Sequence, residues 1–210
     1  MDTWLATLQD WAAAWAAVRG RETMADGAGV RTTGGHGAAE YIQAWSGDDV
    51  PRVADQVRSR PGAMLTLVAG QEADLLDEGP PLGLVPVKRA VLLTASTAKL
   101  PTSTALPENG GLEEAPLDLY DVVEATEFGR PVASGRVRVE NDVAVIGSLK
   151  THHPDTSPDF GRAVLAALVE EAYVHGAGTL FTVVSERQVS GYTRAGWAVA
   201  AYLVTFRSTP

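Results

Sequence analysis

The 210-residue chain has no cysteine. A disulfide framework, a thiolate zinc site and a cysteine nucleophile are excluded together. No apolar run approaches the roughly 18–20 residues that span a bilayer, so neither a transmembrane helix nor a membrane partner is expected. The opening residues, MDTWLATLQD, lack a basic segment ahead of an apolar one, so no secretory signal is expected and the cytoplasm is the simplest location. Basic residues are scarce: 17 Lys and Arg stand against 26 Asp and Glu, a net charge of −9. Divided after residue 110, the deficit is shared, 9 against 13 and then 8 against 13. Counterion release on nucleic acid needs clustered Lys and Arg, and here they are scattered. What is present is ordinary for a folded chain, 45% hydrophobic and 20% charged residues, enough for one large domain or two small ones sharing a core.

Trp4, Leu8, Trp11, Trp15 and Val18 recur at spacings of three and four, which predicts an amphipathic helix over 3–19 that Gly20 ends. Three tryptophans on one face suit a partner surface, but suit packing onto the body of the same protein better. Residues 20–37, rich in Gly and Thr and without period, read as loop. Residues 38–45 fit a strand or a short helix equally well. Asp48 and Asp49 ahead of Val50, Pro51, Val53 and Val57 predict a helix with an acidic start and an early proline. Residues 63–69 and 90–95 are apolar strands, and 71–78 a short helical turn. Residues 96–116, with their prolines and paired glycines, form the best linker, dividing an amino-terminal α/β region (1–110) from a carboxy-terminal domain (111–210).

The second hundred residues have a clearer pattern. Strands over 117–126, 132–140 and 143–151, joined by short turns at 127–131 and Asn141-Asp142, make an antiparallel meander. A His, Pro and Asp loop spans 152–159. A helix over 160–175 follows, with Val164, Leu165, Leu168 and Ala172 on one face and Gly176 and Gly178 closing it. A strand (179–184), a short helix (186–195) and a last strand (198–206) complete the chain.

That order resembles the GNAT (GCN5-related N-acetyltransferase) fold, an α+β or α/β arrangement in which helices flank a mixed, mostly antiparallel twisted sheet. Leu149-Lys150-Thr151 with His153-Pro154 is similar to the end of the family's fourth strand. Phe160-Gly161-Arg162-Ala163-Val164-Leu165 is similar to the start of its pyrophosphate-binding helix, and Tyr192-Thr193-Arg194-Ala195-Gly196-Trp197 to its Tyr-x-x-x-Gly-Phe/Trp signature. The resemblance covers about residues 117–206. The order of elements in 1–110 permits a second, degenerate copy of the fold, a tandem whose first half would wall an acceptor pocket.

The resemblance implies a function with clear physics. A helix amino terminus offers unpaired N–H groups and the positive end of its dipole to a phosphate. A strand that splays from its neighbour leaves backbone groups with which a pantetheine arm can pair. The cosubstrate would be acetyl-CoA or another acyl-CoA, the acceptor a small-molecule amine, and no metal would take part. Leu149, Lys150, Thr151, Phe160, Gly161, Arg162 and Ser185 would hold the donor. Tyr192 would protonate the departing thiolate, unless it only packs its helix on the sheet. His152 and His153, just past the strand 143–151, are candidates to take the amine's proton, or are loop histidines in solvent. Two adjacent histidines without a third ligand do not make a metal site.

The sequence also departs from the family. Where relatives carry Arg/Gln-x-x-Gly-x-Gly/Ala, this chain has Thr156-Ser157-Pro158-Asp159-Phe160-Gly161. Pro158 has no N–H to give. Asp159 brings negative charge toward a phosphate, or caps the helix, and Arg162 returns some positive charge. Ser185, where relatives often have Asn, would hold the pantetheine amide or a water, or cap the following helix. Two rival readings follow: a non-CoA donor, either a carrier-bound acyl group or an aminoacyl-tRNA that the acidic balance disfavours, and a non-catalytic binding module. A homodimer is compatible with each.

Overall fold

The structure, a computed structural model, describes residues 3–33, 38–45, 47–71, 74–75 and 83–208. Its first half runs α1 (Thr3–Ala6), α2 (Leu8–Val18), β1 (Glu22–Asp26), β2 (Gly29–Thr33), β3 (Glu40–Ala44), α3 (Val50–Ser59), β4 (Met64–Ala69) and β5 (Leu84–Ser96). After a 3₁₀ turn at Thr97–Lys99 come β6 (Gly110–Pro116), β7 (Asp121–Glu127), β8 (Arg130–Glu140), β9 (Val143–Thr151), α4 (Pro158–Val174), β10 (Thr179–Val184), α5 (Glu186–Arg194) and β11 (Ala198–Ser208). No described helix is long and apolar enough to cross a membrane.

The described strands form one 11-stranded sheet in the order β1-β2-β3-β4-β11-β5-β10-β9-β8-β7-β6. Outward from its centre, β11 matches β5, β4 matches β10, β3 matches β9, β2 matches β8 and β1 matches β7. Each half's last strand has crossed over to lie between the other half's last strand and its parallel pair. The parallel pairs are β3 with β4 and β9 with β10, and each is bridged in sequence by a helix, α3 or α4. All other described pairings are antiparallel. The two halves thus repeat one order of strands and bridging helix within a single continuous sheet, which fits the tandem arrangement that the element order permits.

Alternation of side chains along the strands sorts the core into layers. Val91, Leu93, Ala144 and Ile146 pack with α4, while Leu65, Leu67, Val204 and Phe206 pack with α3. Leu92, Val143, Val145, Phe181 and Leu203 face the other way, under α2. Trp4, Trp11 and Trp15 are buried there, so the tryptophan stripe is core.

Three expectations need revision, two of them for one reason. Residues 20–37 are not loop throughout: β1 and β2 pair as a hairpin. Residues 96–116 are a linker only in part: Ser96 ends β5 and 110–116 form β6, paired along its length with β7, while 97–109 connect the two halves and hold no strand. β1 and β6 are the two edges of the sheet and mostly exposed, so neither carries an apolar alternation to read. The helix over 3–19 breaks at Thr7 into α1 and α2, and residues 38–45 resolve as strand β3. Of the turn over 71–78, residues 72–73 and 76–78 lie outside the described residues.

Candidate active site at a fork in the sheet

β9 and β10 pair for only three residues each, Val143 with Thr179, Ala144 with Leu180 and Val145 with Phe181. Beyond them both strands continue, each held by its outer neighbour. β10 stays on β5 as far as Val184 opposite Val91, and β9 stays on β8 as far as Thr151 opposite Ala133. Residues 146–151 thus leave the face of β10 and open a fork. A bulge drives the divergence: the β8–β9 register slips between Ser134 and Arg136, and Ser148 takes a left-handed φ of 53°. Gly135 lies opposite the slip, where a Cβ would come 2.6 Å from Leu168 Cδ1 of α4. Lacking that carbon lets α4 seat directly on the bulged strands. The matching strands of the first half do not fork, because β3 pairs with β4 along its whole length and Trp45 N–H extends the ladder to Val68 O (2.8 Å).

Against the fork, between α4 and α5, lies a cavity of about 510 Å³. Leu149, Gly161, Arg162, Arg187, Tyr192 and Arg194 are among its lining residues, and none of the lining residues is acidic. Arg162 pairs with Asp159, and Arg194 Nε donates to Ser190 O (3.1 Å). Arg187 has no hydrogen-bond or ion-pair partner among the described residues. A neighbouring apolar cavity of about 270 Å³ shares Arg162, Leu165 and Ala195 and ends on Trp197. Tyr192 is half-buried, with its ring 5.7 Å from that of Trp197 in an edge-on contact at 84°. Burial pushes its phenol pKa up, so the hydroxyl holds its proton throughout the neutral range.

The start of α4 caps itself. Ser157, not Asp159, is the N-cap: its Oγ accepts from Asp159 N–H (3.3 Å) and its carbonyl from Phe160 N–H (3.2 Å), while Pro158 opens the helix two residues earlier than expected. Three of the first backbone positions are thereby withdrawn from any phosphate. The Phe160 side chain is fully buried in the core, whereas Gly161 and Arg162 reach the cavity.

The other expected residues scatter. Lys150 and Thr151 are exposed on the diverging end of β9. His152 and His153 are exposed and do not line the cavity: His152 N–H is bound to Val132 O (2.8 Å), and His153 Nδ1 accepts from Asp155 N–H (3.2 Å). Ser185 is the N-cap of α5, with Gln188 Oε1 accepting from both its N–H (3.1 Å) and its Oγ (2.8 Å). Arg187 and Arg194 went unsingled in the sequence, although their seven-residue separation on a nine-residue helix puts both on one face.

Away from the fork, near the far end of α4, Asp121, Glu171 and His175 bring one ligand-type atom each within 4.8 Å of one another. Burial and the charge of Glu171 hold the Asp121 carboxyl above its ordinary pKa. A raised carboxyl pKa means that ionisation costs more in the folded than in the unfolded chain, so stability falls as pH rises through the folded value. Asp121→Asn is expected to raise the thermal midpoint at pH 7 and to shrink the stability gained between pH 7 and pH 4, close to the ordinary carboxyl value of 3.8, as read by circular dichroism melts. An unchanged midpoint at both pH values would remove that reading.

No protein-family model matches the sequence, and no curated protein matches it. Solved structures match its fold. A GCN5-related N-acetyltransferase from Kribbella flavida superposes with a TM-score of 0.69 at 15% identity, over 100% of this chain and 97% of that one. A second GCN5-related N-acetyltransferase, from Sphaerobacter thermophilus, gives 0.56 at 15% identity over 99% and 94%. A tandem GNAT protein from the clavulanic acid biosynthesis pathway gives 0.61 at 12% identity over 89% and 82%. The chain has the GNAT acyltransferase fold over its whole length, not over residues 117–206 alone, and its twice-repeated sheet fits a tandem of that fold.

Proposed function

We propose that the carboxy-terminal half transfers an acyl group from a pantetheine thioester, acyl-CoA by default, to the amine of a small molecule. The observation that carries this reading is the fork: β9 presents backbone groups over 146–151 that β10 does not use, beside a cavity bearing an unpaired arginine and a protonated tyrosine. A pantetheine arm has amide donors and acceptors at the spacing of a strand and can pair there. Tyr192 Oη delivers its proton to the sulfur as the C–S bond breaks. The amine's proton leaves to water, or to His152 or His153 if their loop closes over the acceptor.

The residues present fit the arm of coenzyme A better than its diphosphate, because Ser157, Pro158 and Asp159 fill the helix mouth. Arg187 and Arg194 supply the charge instead. Calorimetric titration tests the division. The native protein should bind coenzyme A, and the double variant Arg187→Ala/Arg194→Ala should bind it about 10–100-fold more weakly, with acetyl-pantetheine affected by less than about twofold. Failure of coenzyme A to bind, with acetyl-pantetheine retained, would favour the second reading that the self-capped helix supports, a carrier-bound acyl donor. Failure of both would remove the transferase.

A further inference from the structure

On the opposite face of the sheet, just past the end of α2, lies a separate cavity of about 320 Å³. Trp15, Arg19, Arg21, Lys88, Leu203 and Thr205 line it, together with Glu40. Glu40 is 3% exposed and fully engaged: Oε2 accepts from Arg19 Nη1 (2.8 Å) and Arg21 Nη1 (3.2 Å), and Oε1 from Thr66 Oγ1 (2.8 Å), which in turn meets Thr205 Oγ1 (2.9 Å). The Arg19 guanidinium lies 3.6 Å over the Trp15 ring, and its Nη2 is buried with no partner. Lys88 has no partner among the described residues. Three cations therefore meet one anion, in a chain whose net charge is −9. Burial holds the Arg19 pKa below its ordinary value despite Glu40, with the Arg21 charge adding to the decrease. The pocket is short of negative charge.

Its position ties it to the fork. Ala90 in its wall precedes Val91, the partner of Val184 at the end of β10. The last residue of α2, Val18, accepts through its carbonyl from Ser148 Oγ on the bulge (3.2 Å), and the next residue is Arg19. One wall of the cavity, at Ala90 of β5, thus lies beside the strand that borders the fork, on the face away from α4 and α5.

We propose that this cavity seats the acyl acceptor, and that the acceptor is an amine of amino-acid size carrying a carboxylate. The acid group rests on Arg21 and Lys88, beside the Arg19 guanidinium, the apolar body lies against Trp15 and Leu203, and the amine is directed at the fork. Planar guanidinium donors pair with a carboxylate or a phosphate alike; the apolar wall of Trp15 and Leu203 fits the body of a small organic acid, and benzoate against phenyl phosphate separates the two anions. Glu40 is a positioning residue that fixes both guanidinium groups. This inference rests on the transferase reading: the amine nitrogen bonds to the thioester carbonyl carbon, the C–S bond breaks, the thiolate takes the Tyr192 proton and the ammonium proton passes to water.

The test separates the two. Benzoate, phenylacetate and L-phenylalanine, each against its uncharged amide, are titrated into the full chain without coenzyme A, following indole N–H resonances by NMR. We expect each acid to bind at least about 10-fold more tightly than its amide, to shift Trp15 first, and to lose that preference in Arg21→Gln, with Arg21→Lys restoring part of it. Equal binding of acids and amides, or a preference for phenyl phosphate over benzoate, would overturn the carboxylate seat whatever coenzyme A does. Acid binding without any coenzyme A or acetyl-pantetheine binding would leave the seat standing and sink the transferase. In a turnover assay benzoate should compete with the amine and not with the thioester; competition with the thioester alone would overturn the acceptor role.

Discussion

Tyr192→Phe is expected to lower kcat for acyl transfer by about 100-fold or more, with the affinity for the thioester unchanged. The ring stays: Phe keeps the edge-on contact with Trp197 and the helix α5 stays on the sheet. Only the hydroxyl goes, and with it the one phenol among the residues lining the cavity. Because burial raises the phenol pKa, the native rate should hold through the neutral range and decline only on the alkaline side of the ordinary phenol value of 10.0, a limb the variant should lack. Steady-state kinetics over pH distinguish the outcomes. A variant with native kcat would leave Tyr192 as a packing residue.

Trp11→Ala is expected to cost about 3–5 kcal/mol of unfolding free energy, read as a lowered urea midpoint at constant slope. Trp11 is fully buried on the inner face of α2, its ring lies 6.3 Å from those of Trp15 and Phe181, and its Nε1 donates to Trp4 O (2.9 Å). A loss of that size is a large part of the 5–15 kcal/mol typical of a domain. The same helix delivers Val18 O to Arg136 Nη1 (3.1 Å) and to Ser148 Oγ (3.2 Å), so it braces the bulge that opens the fork. Acyl transfer should therefore fall in a Trp11 variant even where it remains folded. A cost below about 1 kcal/mol would mean that the layer over this face is dispensable.

The sequence foretold most where burial imposes a period. β9 and β10 match their expected bounds because both bury apolar residues in the core, and α5, with no fully buried residue, lies within one residue of its own because Val189 and Tyr192, three apart, lean on that core and Gly196 follows. Edge strands β1 and β6 were invisible, since exposure on both faces removes the alternation that marks a strand. The crossing of β5 and β11 was equally hidden: pairing across 100 residues leaves no local trace, and both strands look like ordinary apolar runs. At the site, Tyr192, Arg162 and Leu149 line one cavity. Arg187 escaped notice because no motif names it, and the cavity of Arg19, Arg21 and Glu40 because its charges come from a helix end, a loop and a strand far apart in sequence.

The most direct measurement is an amide-resolved NMR titration with coenzyme A. Shifts concentrated at 146–151 of β9 and along 187–194 of α5, with 40–44 and 64–68 of the closed pair β3 and β4 silent, are what a thioester arm lying in the fork requires. Shifts spread evenly over both parallel pairs, or none at millimolar ligand, would contradict it.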